Sequence, residues 1–260
     1  MILKELASLT RGRVAEEKAK IPAAEMRRMA EELPVGGTFP FEQALRAPGL
    51  SFICEVKKAS PSKGLIVPEF PYLDIARDYE AAGASAISVL TEPYRFLGSD
   101  RYLQEIASAV TIPVLRKDFT VDPYMIDQAK VLGASAVLLI CAILDDGALR
   151  EYMAQAKELG LSALVEAHDA EEVERALAAG ASIIGVNNRD LRTFQVDVGN
   201  SVRLRELVPP EIVFVSESGI RGPEDTKVLC ENGTDAVLIG ETLMRSADKK
   251  AVLDQLRQGK

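Results

Sequence analysis

Four segments of this chain repeat one another: AAGASAISVL from Ala81, VLGASAVLLI from Val131, AAGASIIGV from Ala178 and ENGTDAVLIG from Glu231. Their glycines, Gly83, Gly133, Gly180 and Gly233, stand 50, 47 and 53 residues apart. Each glycine ends a helical pattern and precedes an apolar run that opens on small residues. That is the signature of a helix C-cap leading into a buried parallel strand. One βα unit needs about half that interval, so a further strand is expected between each pair. One occurs every time, at 111–115, 161–165 and 211–215, and residues 52–56 lead the series.

Eight apolar strands thus alternate with amphipathic stretches such as 148–159 and 171–179. No Gly-x-Gly-x-x-Gly follows any of them, and the count is eight, so a single-domain (β/α)8 TIM barrel over residues 51–260 is predicted rather than a doubly wound sheet. Residues 1–50 stand outside the repeat and read as a helical N-terminal extension of the same domain. Leu3, Leu6 and Leu9 with the following EEKAK form one amphipathic helix. A second spans 22–33, with Pro22 at its start and Pro34 after its end, and Gly36-Gly37 breaks the chain. Such an extension serves as a lid or as extra packing, and the sequence does not choose.

In a barrel of this kind the site lies at the C-terminal strand ends. Strand one ends in Glu55 and Lys57, which share a face because side chains alternate. They lead into a loop, Lys58 to Gly64, rich in hydroxyl and amine donors. Strand three ends in Lys117 and Phe119, strand five in Glu166, strand six in Asn187, Asn188 and Arg189, and strand seven in Glu217, Ser218 and Gly219. Barrel closure would aim all of these at one bowl. Gly219 and Gly240, after strands seven and eight, permit backbone N–H groups to converge on an anion, as expected of a barrel phosphate site. A lysine in such a bowl can act as general acid, Schiff-base nucleophile or electrostatic clamp. Glu166 is the candidate general base, while Glu55 either couples to it or neutralises Lys57. His168 reads as a capping or surface residue at the start of a helix.

The totals narrow the function classes. A net charge of −8 argues against nonspecific nucleic-acid binding, so an anionic ligand needs a local cluster of donors. The longest apolar run, 134–144, falls short of a bilayer span, and the N-terminus lacks a signal-peptide plan. No membrane partner is expected. The cysteines, Cys54, Cys141 and Cys230, are too scattered for a disulfide framework or a zinc site, which suits a reducing cytoplasm. With one histidine, a metal site with two histidine ligands is excluded, so carboxylates and lysines must carry any acid and base work.

The motifs EVKKASPSKG, LRKDF, LVEAHD, IGVNNRDL, SESGI and LIGETLM, in this order along the series, closely resemble the indole-3-glycerol phosphate synthase family. That resemblance implies an anionic, phosphorylated small-molecule substrate, 1-(2-carboxyphenylamino)-1-deoxyribulose 5-phosphate, closed to an indole with loss of carbon dioxide and water. It implies no cofactor or metal, and a monomer or else a homodimer. Lys117 then resembles the general acid and Glu166 the general base. Lys57 would hold the substrate carboxylate, while Glu55 and Asn187 orient lysine and substrate hydroxyls. Ser60 and Arg189 would fix the anthranilate side and Glu217 the site floor. Phosphate would rest on Ser218, Gly219, Gly240 and the N–H of Glu241, with Lys63 nearby. Glu241 departs from relatives with serine there, so its carboxylate must turn away. Pro61, Phe96, Phe119, Leu138 and Leu191 would wall the aromatic ring. The competing assignment is a neighbouring phosphate barrel such as phosphoribosylanthranilate isomerase, whose chemistry calls for a cysteine and an aspartate.

Overall fold

A computed structural model describes residues 2–190 and 193–259. Eight parallel strands close into a barrel: β1 (Ser51–Val56), β2 (Ala86–Leu90), β3 (Val114–Lys117), β4 (Ala136–Ile140), β5 (Ser162–Ala167), β6 (Ile183–Asn187), β7 (Val213–Glu217) and β8 (Ala236–Ile239). Each strand pairs with its sequence neighbours, and β1 closes the ring by pairing with β8, Ser51 opposite Ala236. Helices lie between successive strands, so the predicted TIM barrel is the fold observed.

The repeat glycines do what their positions require. Gly83, Gly133, Gly180 and Gly233 have φ of +82°, +85°, +89° and +77°, the left-handed region. In each case the next residue's N–H returns to the carbonyl five residues back, as in Ala84 to Tyr79 at 3.0 Å and Thr234 to Leu229 at 3.0 Å. These bonds close the helix and turn the chain into its strand. Three expected strand bounds shift toward the C-terminus. The strand expected at 111–115 is Val114–Lys117, and that expected at 211–215 is Val213–Glu217. The one expected at 161–165 is Ser162–Ala167. At Thr111 and Ile112 the backbone N–H groups bond the Glu80 carboxylate instead of a neighbouring strand. Lys117, Glu166 and Glu217 therefore sit within their strands rather than just after them.

Alternation sorts the barrel into two layers. Phe52, Cys54 and Val56 of β1 face outward into a large apolar layer shared with the surrounding helices. Ile53 faces inward, where it packs in a second cluster with Leu115, Leu138, Leu164 and Val215.

Among its described residues the extension holds three helices rather than two: α1 (Ile2–Lys20), α2 (Ala23–Glu31) and α3 (Pro40–Leu45). The second is shorter at both ends than the expected 22–33. The third was not predicted. It inserts Phe41 and Leu45, both fully buried, among Ala86, Ala136, Ile183, Val213 and Ala236. Those five are the first residues of β2, β4, β6, β7 and β8, so α3 plugs the N-terminal end of the barrel. α1 buries Leu3, Leu6, Ala7, Thr10, Arg13 and Val14, whereas Leu9 points to solvent. Its Arg13 crosses to β3's end, donating to Asp118 at 2.7 Å and to the Thr91 carbonyl at 3.1 Å.

Candidate active site

At the C-terminal end of the barrel lies a cavity of about 640 Å³. Every site residue read from the sequence lines it except two: Leu191 falls outside the described residues, and Asn188, expected in the bowl with Asn187 and Arg189, takes the opposite face of the strand end and bonds Ser216 and Ser201 instead. The inward-facing positions of β1, β3, β5, β6 and β7 bring Glu55, Lys117, Glu166, Asn187 and Glu217 together around this cavity.

Lys117 is the hub. Its Nζ donates to Glu217 Oε2 at 2.7 Å and to Glu166 Oε2 at 2.9 Å. Burial disfavours its charged form, but Glu166, Glu217 and Glu55 outweigh that cost and hold Lys117 well above the usual lysine range. The ammonium is thus kept, which suits a proton donor or clamp and opposes a Schiff-base nucleophile. The two carboxylates that share it diverge. Burial opposes ionisation of Glu166, yet Lys117, His168 and a hydrogen bond from Asn187 pull it below its ordinary value. For Glu217 burial wins: against the attraction of Lys117, and helped by repulsion from Glu166 and Glu55, its carboxyl is pushed up to about 7. Two acids whose environments drive them apart are how a site assigns distinct roles to like groups.

Lys57 forms its own pair with Glu55, so Glu55 neutralises Lys57, one of the two roles open to it. Two glycines make room for these groups. A Cβ at Gly240 would collide with the Glu55 carboxylate and Lys57 Nζ, and a Cβ at Gly185 in β6 would collide with the Glu217 carboxylate. Gly185 went unnoticed in the sequence because a glycine inside an apolar strand carries no sign of what faces it.

The turn after β7 is the strained part of the site. Ser218 and Gly219 both adopt positive φ, +69° and +90°, and for serine this is uncommon. Asn188, which points out of the barrel, holds the turn by donating from Nδ2 to the Ser218 carbonyl at 3.0 Å and to Ser216 Oγ at 3.0 Å. Its Oδ1 accepts from Ser201 Oγ at 2.8 Å. Gly240, directly after the adjacent strand β8, precedes the short helix Glu241–Met244. The Glu241 carboxylate does turn aside, toward Arg245 at 3.1 Å and Lys63 at 3.5 Å. Burial works against its ionisation, but those two cations hold it below the ordinary carboxylate value.

Across the cavity the wall is apolar. Phe96 and Phe119 lie with ring centroids 6.2 Å apart, beside Leu138 and Ile140. Ile2, Leu3 and Leu6 of α1 complete this wall. The Leu3 and Leu6 spacing was visible in the sequence, but not what it would cover. His168 is not a helix cap. Asp169 caps the helix Ala170–Ala179, accepting from the Glu172 N–H at 2.9 Å, and His168 is largely buried beside Glu166.

Known proteins share both the sequence and the fold of this chain. The sequence profile of indole-3-glycerol phosphate synthase matches residues 3–256. The chain belongs to the indole-3-glycerol phosphate synthase family. The synthase of Ruminiclostridium cellulolyticum is 58% identical over 257 residues, covering 99% of each chain. That of Endomicrobium trichonymphae is 54% identical over 258 residues, again covering 99% of each. Among solved structures, 3-hexulose-6-phosphate synthase from Salmonella typhimurium shares the fold, with a TM-score of 0.67 at 15% identity over 81% of this chain and 98% of that one. Thiamine phosphate pyrophosphorylase from Pyrococcus furiosus does so with a TM-score of 0.61 at 16% identity, covering 84% and 96%. The isomerase alternative loses its cysteine as well: Cys54 faces the helix layer, and burial pushes its thiol far up. Among the described residues no helix is long and apolar enough to cross a membrane.

Proposed function

We propose that Lys117 is the general acid and Glu166 the general base of an indole-3-glycerol phosphate synthase reaction in this chain. The overall activity follows from the family: a carboxy-lyase of tryptophan biosynthesis that closes 1-(2-carboxyphenylamino)-1-deoxyribulose 5-phosphate to an indole. The observation that carries the division of labour is the single lysine shared by two carboxylates of opposite tendency.

The substrate has an aromatic end, a carboxylate, a ketone and a phosphate, and the cavity offers a counterpart to each. The phosphate rests on the Ser218 and Gly219 turn and on the N–H groups at Gly240 and Glu241, with Lys63 nearby. The arene slots between Phe96, Phe119, Leu138 and Pro61, with α1 behind it. Lys57 takes the carboxylate, and Ser60 and Arg189 support that end. Clamping both ends brings the ring carbon onto the ketone, and such positioning is worth on the order of 7 to 11 kcal/mol at best.

Lys117 then gives its proton to the ketone oxygen as the carbon–carbon bond forms. Carbon dioxide leaves from the carboxylate-bearing carbon and its bonding pair returns to the ring. Glu166, the ionised carboxylate, then accepts a proton from the methylene beside the nitrogen in the new five-membered ring, while Lys57 protonates the departing hydroxyl so that it leaves as water. Glu217 holds Lys117 between these steps, and Asn187 holds Glu166. Glu166→Gln tests the base: turnover should fall by about 10² to 10⁴-fold while affinity for a product analogue survives. Unchanged turnover would remove Glu166 from the chemistry.

A further inference from the structure

His168 is the chain's one histidine, and the chemistry above leaves it without a task. It follows β5 and sits two residues beyond Glu166. Its Nδ1 lies 3.1 Å from Glu172 Oε2, and the same oxygen accepts the His168 N–H at 2.8 Å. Its Nε2 is buried without a hydrogen-bond partner and faces Glu166 Oε1 at 3.6 Å. Asn200 fixes the backbone by donating to the His168 carbonyl at 3.0 Å. The ionisable groups facing the ring are Glu172 from the helix Ala170–Ala179, Glu166 from β5 and, farther off, Glu217 from β7. All three are acids, and a buried ring nitrogen with no partner beside a carboxylate needs a reason.

We propose that His168 is a positioning residue for Glu166: Glu172 fixes the imidazole, and its Nε2–H, turned toward Oε1, keeps the Glu166 carboxylate ionised and aimed. The opposite oxygen, Oε2, is held by Lys117, so Glu166 is gripped from both sides. Burial disfavours the imidazolium, but Glu172 and Glu166 together raise His168 above its ordinary value. At 3.6 Å the two groups stand beyond hydrogen-bond length, and such contacts commonly tighten when substrate closes a site. The inference rests on Glu166 being the base.

A lone histidine gives unambiguous ring signals, so the test is an NMR titration of the full chain together with a pH profile of turnover. In Glu166→Gln the His168 pKa should fall, because an anionic neighbour has gone. In His168→Asn, whose amide can keep the Glu172 contact, the acid limb of the turnover profile should move to higher pH. Turnover should drop at least threefold near pH 6 and KM should change little. A ring titration unmoved by Glu166→Gln overturns the proposal, and so does a drop in His168→Asn that is uniform across pH. If His168→Asn does not fold, the Glu166→Gln titration still decides. Full turnover in Glu166→Gln would instead overturn the base assignment, whichever way the ring titrates.

Discussion

The two ends of this barrel are built from the same strands and do opposite work. β1 contributes Ile53 below and Glu55 above, β5 contributes Ser162 and Glu166, and β7 contributes Val213 and Glu217. Below, the strand starts are small or branched apolar residues sealed by Phe41 and Leu45 of α3. Above, the same inward positions carry three acids and a lysine around a cavity. A shift of four residues along β5 or β7 thus converts packing into chemistry. One end should answer to mutation in stability and the other in rate.

Lys117→Ala tests the upper end most severely. Its ammonium is proposed to act in the bond-forming transition state, so turnover should fall by about 10³-fold or more, some 4 kcal/mol. Binding of a product analogue should largely survive. A modest loss would move the acid role to Lys57, which faces the same cavity. Phe41→Ala is the counterpart below. Phe41 is fully buried, so its truncation should cost about 3 to 5 kcal/mol of stability, read as a lowered urea midpoint. Turnover per folded molecule should stay within about twofold. If Phe41→Ala slowed the chemistry as much as Lys117→Ala, the division between the ends would fail.

Much of this arrangement was legible because its signals are local. A C-cap glycine, an apolar run and a polar strand end each fall within ten residues, and their recurrence counts the barrel's units. What escaped depends on partners far away in sequence. α3 is only six residues long, Pro40–Leu45, too short to show a helical period, and nothing in it announces that it closes a barrel. Gly185 is needed by Glu217, 32 residues later, and Asn188 braces Ser218 from outside the barrel although it adjoins Asn187. The bounds of β3 and β7 slipped because apolar residues before them belong to loops satisfied by Glu80 and by helix packing. His168 reads as a capping residue because only the fold reveals the ring facing Glu166.

Acid–base linkage offers a finer probe of the upper end. Glu217 is pushed up to about 7 from an ordinary 4.5, chiefly by burial. Between these values the folded chain holds a proton that the unfolded chain has released, so this group makes stability fall as pH rises through that window. Glu166, held low, acts in the opposite sense, losing its contribution as pH falls through its folded value. Glu217→Gln should therefore flatten the decline between about pH 4.5 and 7, by at most about 1.4 kcal/mol per pH unit. A decline that persists unchanged in Glu217→Gln would mean that Glu217 stays ionised beside Lys117. The two acids would then not have diverged.

The smallest effect belongs to the turn proposed to hold the phosphate. Ser218 already sits at φ +69°, and alanine meets the same backbone cost there, so Ser218→Ala removes the hydroxyl while Asn188 keeps the turn in place. One hydrogen bond to an anion is worth about 1.5 kcal/mol, roughly tenfold in affinity. KM should rise by that factor with turnover within about twofold, since the phosphate is remote from the bonds that change. Loss of turnover at constant KM would instead tie this turn to Glu217, its neighbour in the chain. An unchanged KM would mean that the phosphate does not lie on the Ser218 hydroxyl, leaving the anion to the backbone N–H groups around Gly219 and Gly240.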